Sequence, residues 1–459
     1  MKTQPDFGWR LITPLLFITV LNPLNSAMLS TALVPIGQAF PDTKEIGGWL
    51  VASLYLTAAV AQPVLGSFAD RFGARRVLVW TTLILGLGAI VGMLADSVLT
   101  LLLSRILIGF GTSSAFPCTV AIIRRRAAAA NAEPPARILG FLAAASSIAV
   151  AVGPPVGGIV TEFFGWRAVF TINFPLALIA FFLVFVAVPE TSSTVRARGG
   201  VDWIGIALFT VSMTAVVFFL MHLPTRLDLL SAFAAILGIC LFVWVERTKK
   251  QPFVNIALLR TNRPLLLTYA NHAAFNFCNY CYFFSMPQWA QTTLGKSLPV
   301  SGLLLMPVAV ASFVGSLAPT RGRKGCLVEI AGALSLILSS LALLLLTKTV
   351  SFAVIFLISF GFGIGFGVLN MSNQQRLLDY APTDQSGSAA GLLRTAAYLG
   401  ALLSAPLVGF TMSDATRDRA MATIALLVFP IALVPLCLVI LDIARGRHVL
   451  TARAAGQQD

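Results

Sequence analysis

Long apolar runs separated by short polar loops recur along the whole chain. A helix needs about 20 apolar residues to cross a bilayer. Fourteen runs meet that length, approximately at 11–36, 46–69, 77–96, 98–122, 138–161, 166–188, 202–221, 227–245, 264–289, 298–318, 326–346, 350–372, 387–411 and 420–441. Transmembrane strands would show short segments of alternating polarity, whereas LLLTYANHAAFNFCNYCYFF at 265–284 runs on without a break. The pattern predicts an all-α membrane protein with fourteen transmembrane helices.

Composition agrees. Hydrophobic residues make up 57% of the 459 and charged residues 11%, with a mean hydropathy of +0.87, far from the range of soluble globular chains. The first run is too long for a signal peptide and lacks a small-residue cleavage site, so it reads as the first helix. The six cysteines fall within or beside apolar runs, which argues against a disulfide framework. The net charge of +14 comes from the loops. With the N-terminus inside, cytoplasmic segments hold 23 of the 32 basic residues and outer loops hold seven, with Arg105 and Arg394 inside helices. That asymmetry predicts a bacterial inner-membrane protein with both termini cytoplasmic. Spread over many short loops, the charge forms no single basic face, and nucleic acid is excluded as a partner. There is no GxxxxGK[ST], no metal-ligand pair in a loop, and only three histidines. Neither enzymatic activity nor a cofactor or metal is expected.

The chain also repeats itself. GSFADRFGARR at 66–76 has a counterpart GSLAPTRGRKG at 315–325, and VGPPVGG around Pro154 is echoed by SAPLVG around Pro406. The offsets of 249 and 252 exceed the roughly 190 residues of the first six helices by enough for two more. This predicts an N-terminal six-helix bundle over 1–190, inserted helices 7 and 8 with their flanking loops over 191–262, and a C-terminal bundle with a tail over 263–459.

These segments resemble the major facilitator superfamily, and within it the fourteen-helix drug:proton antiporter branch. Gly66, Ala69, Asp70, Arg71, Gly73, Arg75 and Arg76 match the signature loop between helices 2 and 3. Arg105, Gly109 and Gly111 match the intramembrane arginine motif of helix 4, and Gly153, Pro154, Gly157 and Gly158 match the antiporter motif of helix 5. GWRAVFTINFP, VDWIG and ERTKKQPFVNIALLR are similar to segments of the fourteen-helix branch. The resemblance implies two bundles that rock about a central cavity. Asp70, at the end of helix 2, would accept hydrogen bonds from the positive N-terminus of helix 13. Arg71, Arg75 and Arg76 would either pair with Asp379 or Asp384, closing the inner gate, or act only as topology signals. Gly153, Pro154, Gly157 and Gly158 give a helix of little bulk on one face, suited to close packing between halves.

Polar residues inside crossings mark the candidate cavity. Helix 9 places His272, Asn276 and Asn279 on one face, opposite Asn22, Asn25 and Ser26 of helix 1. Arg105, two turns into helix 4, is expected to face the same space. For Arg394, gate pairing and snorkelling both remain open. Relatives of the antiporter branch carry an acid nine positions before the proline that closes helix 1; here, counting from Pro35, that position is Ser26. No acidic residue falls near the middle of a crossing. A cavity without a carboxylate disfavours buried cations and suits neutral or anionic amphipathic solutes, with His272 or Asp70 as the proton-coupling candidates. The expected function is secondary active efflux of small amphipathic molecules, of the drug-resistance type, by antiport with protons. The alternatives are a dedicated carrier for one neutral or anionic metabolite and a non-transporting receptor on the same fold. Expected partners are the small-molecule substrate, protons and membrane lipids, with the chain working as a monomer.

Overall fold

Each expected crossing is a helix. The computed structural model describes residues 8–43, 45–129, 136–190, 202–222, 228–249, 252–254, 256–319, 322–381, 386–412 and 419–444, with Asp70 as backbone only. The helices are α1 (Trp9–Ala39), α2 (Ile46–Phe72), α3 (Ala74–Met93), α4 (Val98–Ala127), α5 (Ala136–Phe164), α6 (Ala168–Ala187), α7 (Trp203–His222) and α8 (Leu229–Thr248), then α9 (Arg263–Thr292), α10 (Leu298–Ser316), α11 (Gly322–Ala342), α12 (Phe352–Tyr380), α13 (Ser386–Thr411) and α14 (Ala420–Ala444). A short helix, Ile256–Thr261, precedes α9. No strand occurs among the described residues.

Thirteen of these are both long and apolar enough to cross a membrane. The other is α9. At 30 residues and about 1.5 Å per residue it exceeds the roughly 30 Å hydrocarbon core, but Asn271, His272, Asn276, Asn279 and Gln288 dilute its hydropathy. All five are buried. Packed against α12, α13, α14 and α1, the helix offers those amides to protein instead of lipid, where they would be costly.

Local chemistry sets the helix ends. Ser97 and Thr100 form a capping box at the start of α4, Asp228 caps α8 through the N–H groups of Leu230 and Ser231, and Asn262 caps α9 while donating to the Tyr380 carbonyl. Gly73 turns the chain between α2 and α3 at φ 90°, a region costly for any residue with a Cβ. The expected end of helix 12 at 372 falls short: α12 continues to Tyr380, so Arg376 lies inside the helix and is buried.

The packing repeats. In the first set α1 lies on α5, α2 on α4, and α3 on α4 and α6; in the second α9 lies on α13, α10 on α12, and α11 on α12 and α14. The sets are joined by α1 with α9 and α10, by α2 with α13, and by α5 with α10. The helix α7 packs on α8 and reaches both α2 and α13, so the inserted pair sits against this seam.

Candidate functional site

The seam closes most tightly where α5 meets α10. Gly158 faces the backbone of Leu298 and Pro299, so a Cβ there would stand 2.8 Å from Pro299 Cα. Gly302 meets the Pro154 carbonyl in return. Gly153 and Gly157 are turned the other way, onto Ala27 and Met28 of α1 within the same set, with Met28 Cα 2.6 Å from a Cβ on Gly157. The four motif positions thus split, two gripping α1 and two facing α10. Polar bonds reinforce this end: Gln291 Nε2 donates to Thr31 O at 3.0 Å, and Leu298 N donates to Glu162 Oε2 at 3.3 Å.

Midway along the bundle the two sets meet through aromatic rings. Tyr55 of α2 stands 5.1 Å from Tyr280, 6.2 Å from Phe284 and 5.9 Å from Tyr398, centroid to centroid. Gln62 donates to the Tyr398 hydroxyl at 2.6 Å, and Ser26 lies beside the Tyr55 hydroxyl. Three ring pairs at about 1 kcal/mol each hold the sets together without making the closure permanent. Nearer the face that carries Gly73, the Arg394 guanidinium crosses from α13 to lie 3.4 Å over the Phe116 ring of α4. Of the two readings left open for Arg394, neither describes this cation–π contact. His272 is adjacent to Arg394, makes an edge contact with Phe275 at 5.0 Å, and has a buried Nδ1 without a hydrogen-bond partner. Asn279 Oδ1 is likewise buried without a donor, while Asn276 donates to the His272 carbonyl.

Several expected site residues lie elsewhere. Asn25 is only 1% exposed and donates to Asn173 of α6, inside the first set, so it does not face α9. Asn22 donates to Thr112 of α4 at 2.9 Å, also within the first set. Both amides donate within their own bundle, although Asn25 Oδ1 is buried without a donor. Arg105 is buried behind Tyr55, its Nε donating to the Leu50 carbonyl at 3.3 Å; it supports the aromatic cluster from the rear. Arg75 pairs with Glu190 at 3.2 Å and donates to the Phe185 carbonyl at 2.5 Å, both in its own set, instead of reaching Asp379. Asp379 is exposed and accepts from Gln375 at 3.2 Å. Arg76 is exposed. Asp384 and the Asp70 side chain lie outside the described residues.

A second charged cluster went unread in the sequence. Arg376 bridges Glu329 at 2.9 Å and Asp442 at 3.1 Å, joining α12, α11 and α14. Glu329 is two turns into α11 and buried. Asp442 and Glu190 are 252 residues apart, the same spacing as Pro154 and Pro406. Each set therefore ties an arginine to an acid at the end of its sixth helix.

The fold and the polar seam define a multi-pass membrane transporter. The Major Facilitator Superfamily model matches residues 15–405, and the chain belongs to that family. An uncharacterized MFS-type transporter, YwoD of Bacillus subtilis (strain 168), is 31% identical over 403 residues, 85% of this chain and 87% of its own. The multidrug resistance protein Stp of Mycobacterium tuberculosis is 28% identical over 85% of this chain and 73% of its own. The multidrug efflux pump LfrA of Mycolicibacterium smegmatis is 27% identical, covering 88% and 81%. Among solved structures, the nucleoside transporter NupG superposes with a TM-score of 0.62 at 14% identity, covering 93% of this chain and 99% of that one.

Proposed function

We propose that the chain is a proton-coupled efflux carrier for small amphipathic molecules that are neutral or anionic, including drugs. It sits in a bacterial inner membrane with both termini in the cytoplasm. Residues 1–190 and 263–459 act as two rocking bundles, with 191–262 riding on the seam. The observation that carries the reading is the make-up of that seam. Tyr55, Tyr280, Phe284 and Tyr398 offer aromatic faces, Arg394 supplies positive charge with Arg105 behind Tyr55, and among the described residues no carboxylate takes part in the ring cluster, Glu162 standing at the α5–α10 end. Aromatic walls take many flat apolar bodies, and guanidinium groups favour an anionic substituent on them. The kinship with multidrug pumps supports efflux. Closure between Gly158 and Leu298, and between Gly302 and Pro154, supports one sealed face in an alternating-access cycle. His272 and Asp70 are the candidates for coupling to protons.

The unpartnered Nδ1 of His272 and Oδ1 of Asn279 favour the second reading, a dedicated carrier for one polar metabolite. Such a site rejects analogues that leave its buried groups unpaired. Inside-out membrane vesicles energised by a pH gradient separate the two. A panel of aromatic acids differing only in hydrogen-bonding groups should compete with one another if the carrier is broad, and only one member should compete if it is dedicated. Failure of every anionic and neutral compound to accumulate would overturn both.

A further inference from the structure

The sequence segments VDWIG and ERTKKQPFVNIALLR are not used by the seam, yet the fold brings them together at the Gly73 face of the inserted pair. Asp202, just before α7, accepts from Gly205 N at 2.8 Å, from Phe253 N at 3.3 Å, and from Lys249 Nζ. Glu246, in the last turn of α8, is 2% exposed and accepts from Val254 N at 2.6 Å through Oε2. Its Oε1 is buried without a hydrogen-bond partner and lies, with Asp202 Oδ2, against Gly205. Both carboxyl groups press on the Gly205 Cα. A Cβ there would stand 2.5 Å from Asp202 Oδ2 and collide with Glu246 Oε1.

Two ionised carboxylates cannot occupy such a space together, and a shared proton removes the conflict. Burial opposes ionisation of Asp202, but hydrogen bonds from Lys249 and Gly205 N outweigh it and hold that carboxyl below its usual value. Arg247 follows Glu246 on α8, but the charges that act on Glu246 are those of Asp202 and Lys249. We infer that Asp202 and Glu246 form a proton-binding carboxyl pair, with the proton on Glu246, that locks α7, α8 and the 252–254 strap into one unit. The strap leads into α9, and α7 packs on both α2 and α13, so this unit touches both sides of the seam. The proton comes from the aqueous phase at that face and returns to it. No substrate is involved, and the inference does not depend on what the carrier moves.

Infrared difference spectroscopy of the purified full chain, titrated with acid and base, tests the pair directly. Wild type should show a protonated-carboxyl band at neutral pH that is missing from E246Q. Gln keeps both an acceptor for Val254 N and a donor toward Asp202, so the local fold should survive. In D202N the anion that retains the proton is gone, and the band should move by at least about one pH unit, a tenfold fall in proton affinity. The melting point in detergent should fall for wild type as pH rises through the titration, because the facing carboxylates then repel, while that of E246Q stays flat over the same range. A band that persists unchanged in E246Q, or a melting curve for E246Q that follows wild type, would overturn the inference.

Discussion

At Ser26 the proposed function makes a single side chain the test of which charge the seam can hold. It stands beside Tyr55 in the aromatic cluster, at the position where the related antiporter branch carries an acid. Ser26→Asp should therefore add transport of lipophilic monocations and weaken that of anions. Opposite charges about 4 Å apart interact by roughly 4 kcal/mol at an effective dielectric near 20, and a quarter of that shifts relative affinity about fivefold. Paired uptake of one cationic and one anionic aromatic compound, variant against wild type, checks this; no change in the ratio would mean that Ser26 does not face the substrate. The polar residues of this site were legible because an amide or a charge stands out in an apolar helix, as His272, Asn279 and Arg105 do. The rings were not, since Tyr55, Phe116, Phe284 and Tyr398 look like ordinary core in a chain with 33 phenylalanines. A signal was nevertheless present: the chain has only six tyrosines, and three of them meet at this point. Polarity alone also misplaced Asn22 and Asn25, because an inward-facing amide can donate within its own bundle as well as across the seam.

Among the elements, α11, α12 and α14 are held by one buried charge cluster. Removing Arg376 leaves Glu329 and Asp442 facing each other without a cation, a change that typically costs about 3–5 kcal/mol. Arg376→Ala should lower the melting point in detergent sharply, and adding Glu329→Gln and Asp442→Asn should recover much of the loss. No recovery would mean that Arg376 acts through packing. The number and order of the helices were readable because hydropathy over 20 residues is a strong signal. The extent of α12 was not: the turns from Asn373 to Tyr380 are polar, and only tertiary contacts show that Arg376 is enclosed by α11 and α14. On α5 the motif glycines allow close approach to α1 and α10. Gly158→Leu should leave the protein inserted but hold α5 off α10, cutting transport more than about tenfold. Cysteine labelling at residues flanking Leu298 should show that face open throughout, and normal labelling with normal flux would refute this.

For the molecule as a whole, the two packed sets make contact through surfaces of different character. Backbone meets backbone near Gly158 and Leu298, rings meet midway, and a cation–π contact from Arg394 to Phe116 follows toward the Gly73 face. None of these contacts is covalent or a buried salt bridge, so rocking the sets apart breaks many weak interactions and leaves each set intact. The charge pairs that were identified, Arg75 with Glu190 and Arg376 with Glu329 and Asp442, lie within a set and stiffen it as a rigid body. The proposal turns on an aromatic cluster with arginines and no carboxylate beside it moving anionic or neutral amphipaths against a proton gradient. The most direct measurement is a paired one in liposomes containing only the purified chain. Accumulation of a matched anionic and cationic aromatic compound is followed with the pH gradient imposed and then collapsed. Gradient-dependent accumulation of the anion, with the cation at the level of protein-free liposomes, is the result the account predicts. Gradient-dependent accumulation of the cation alone would contradict it.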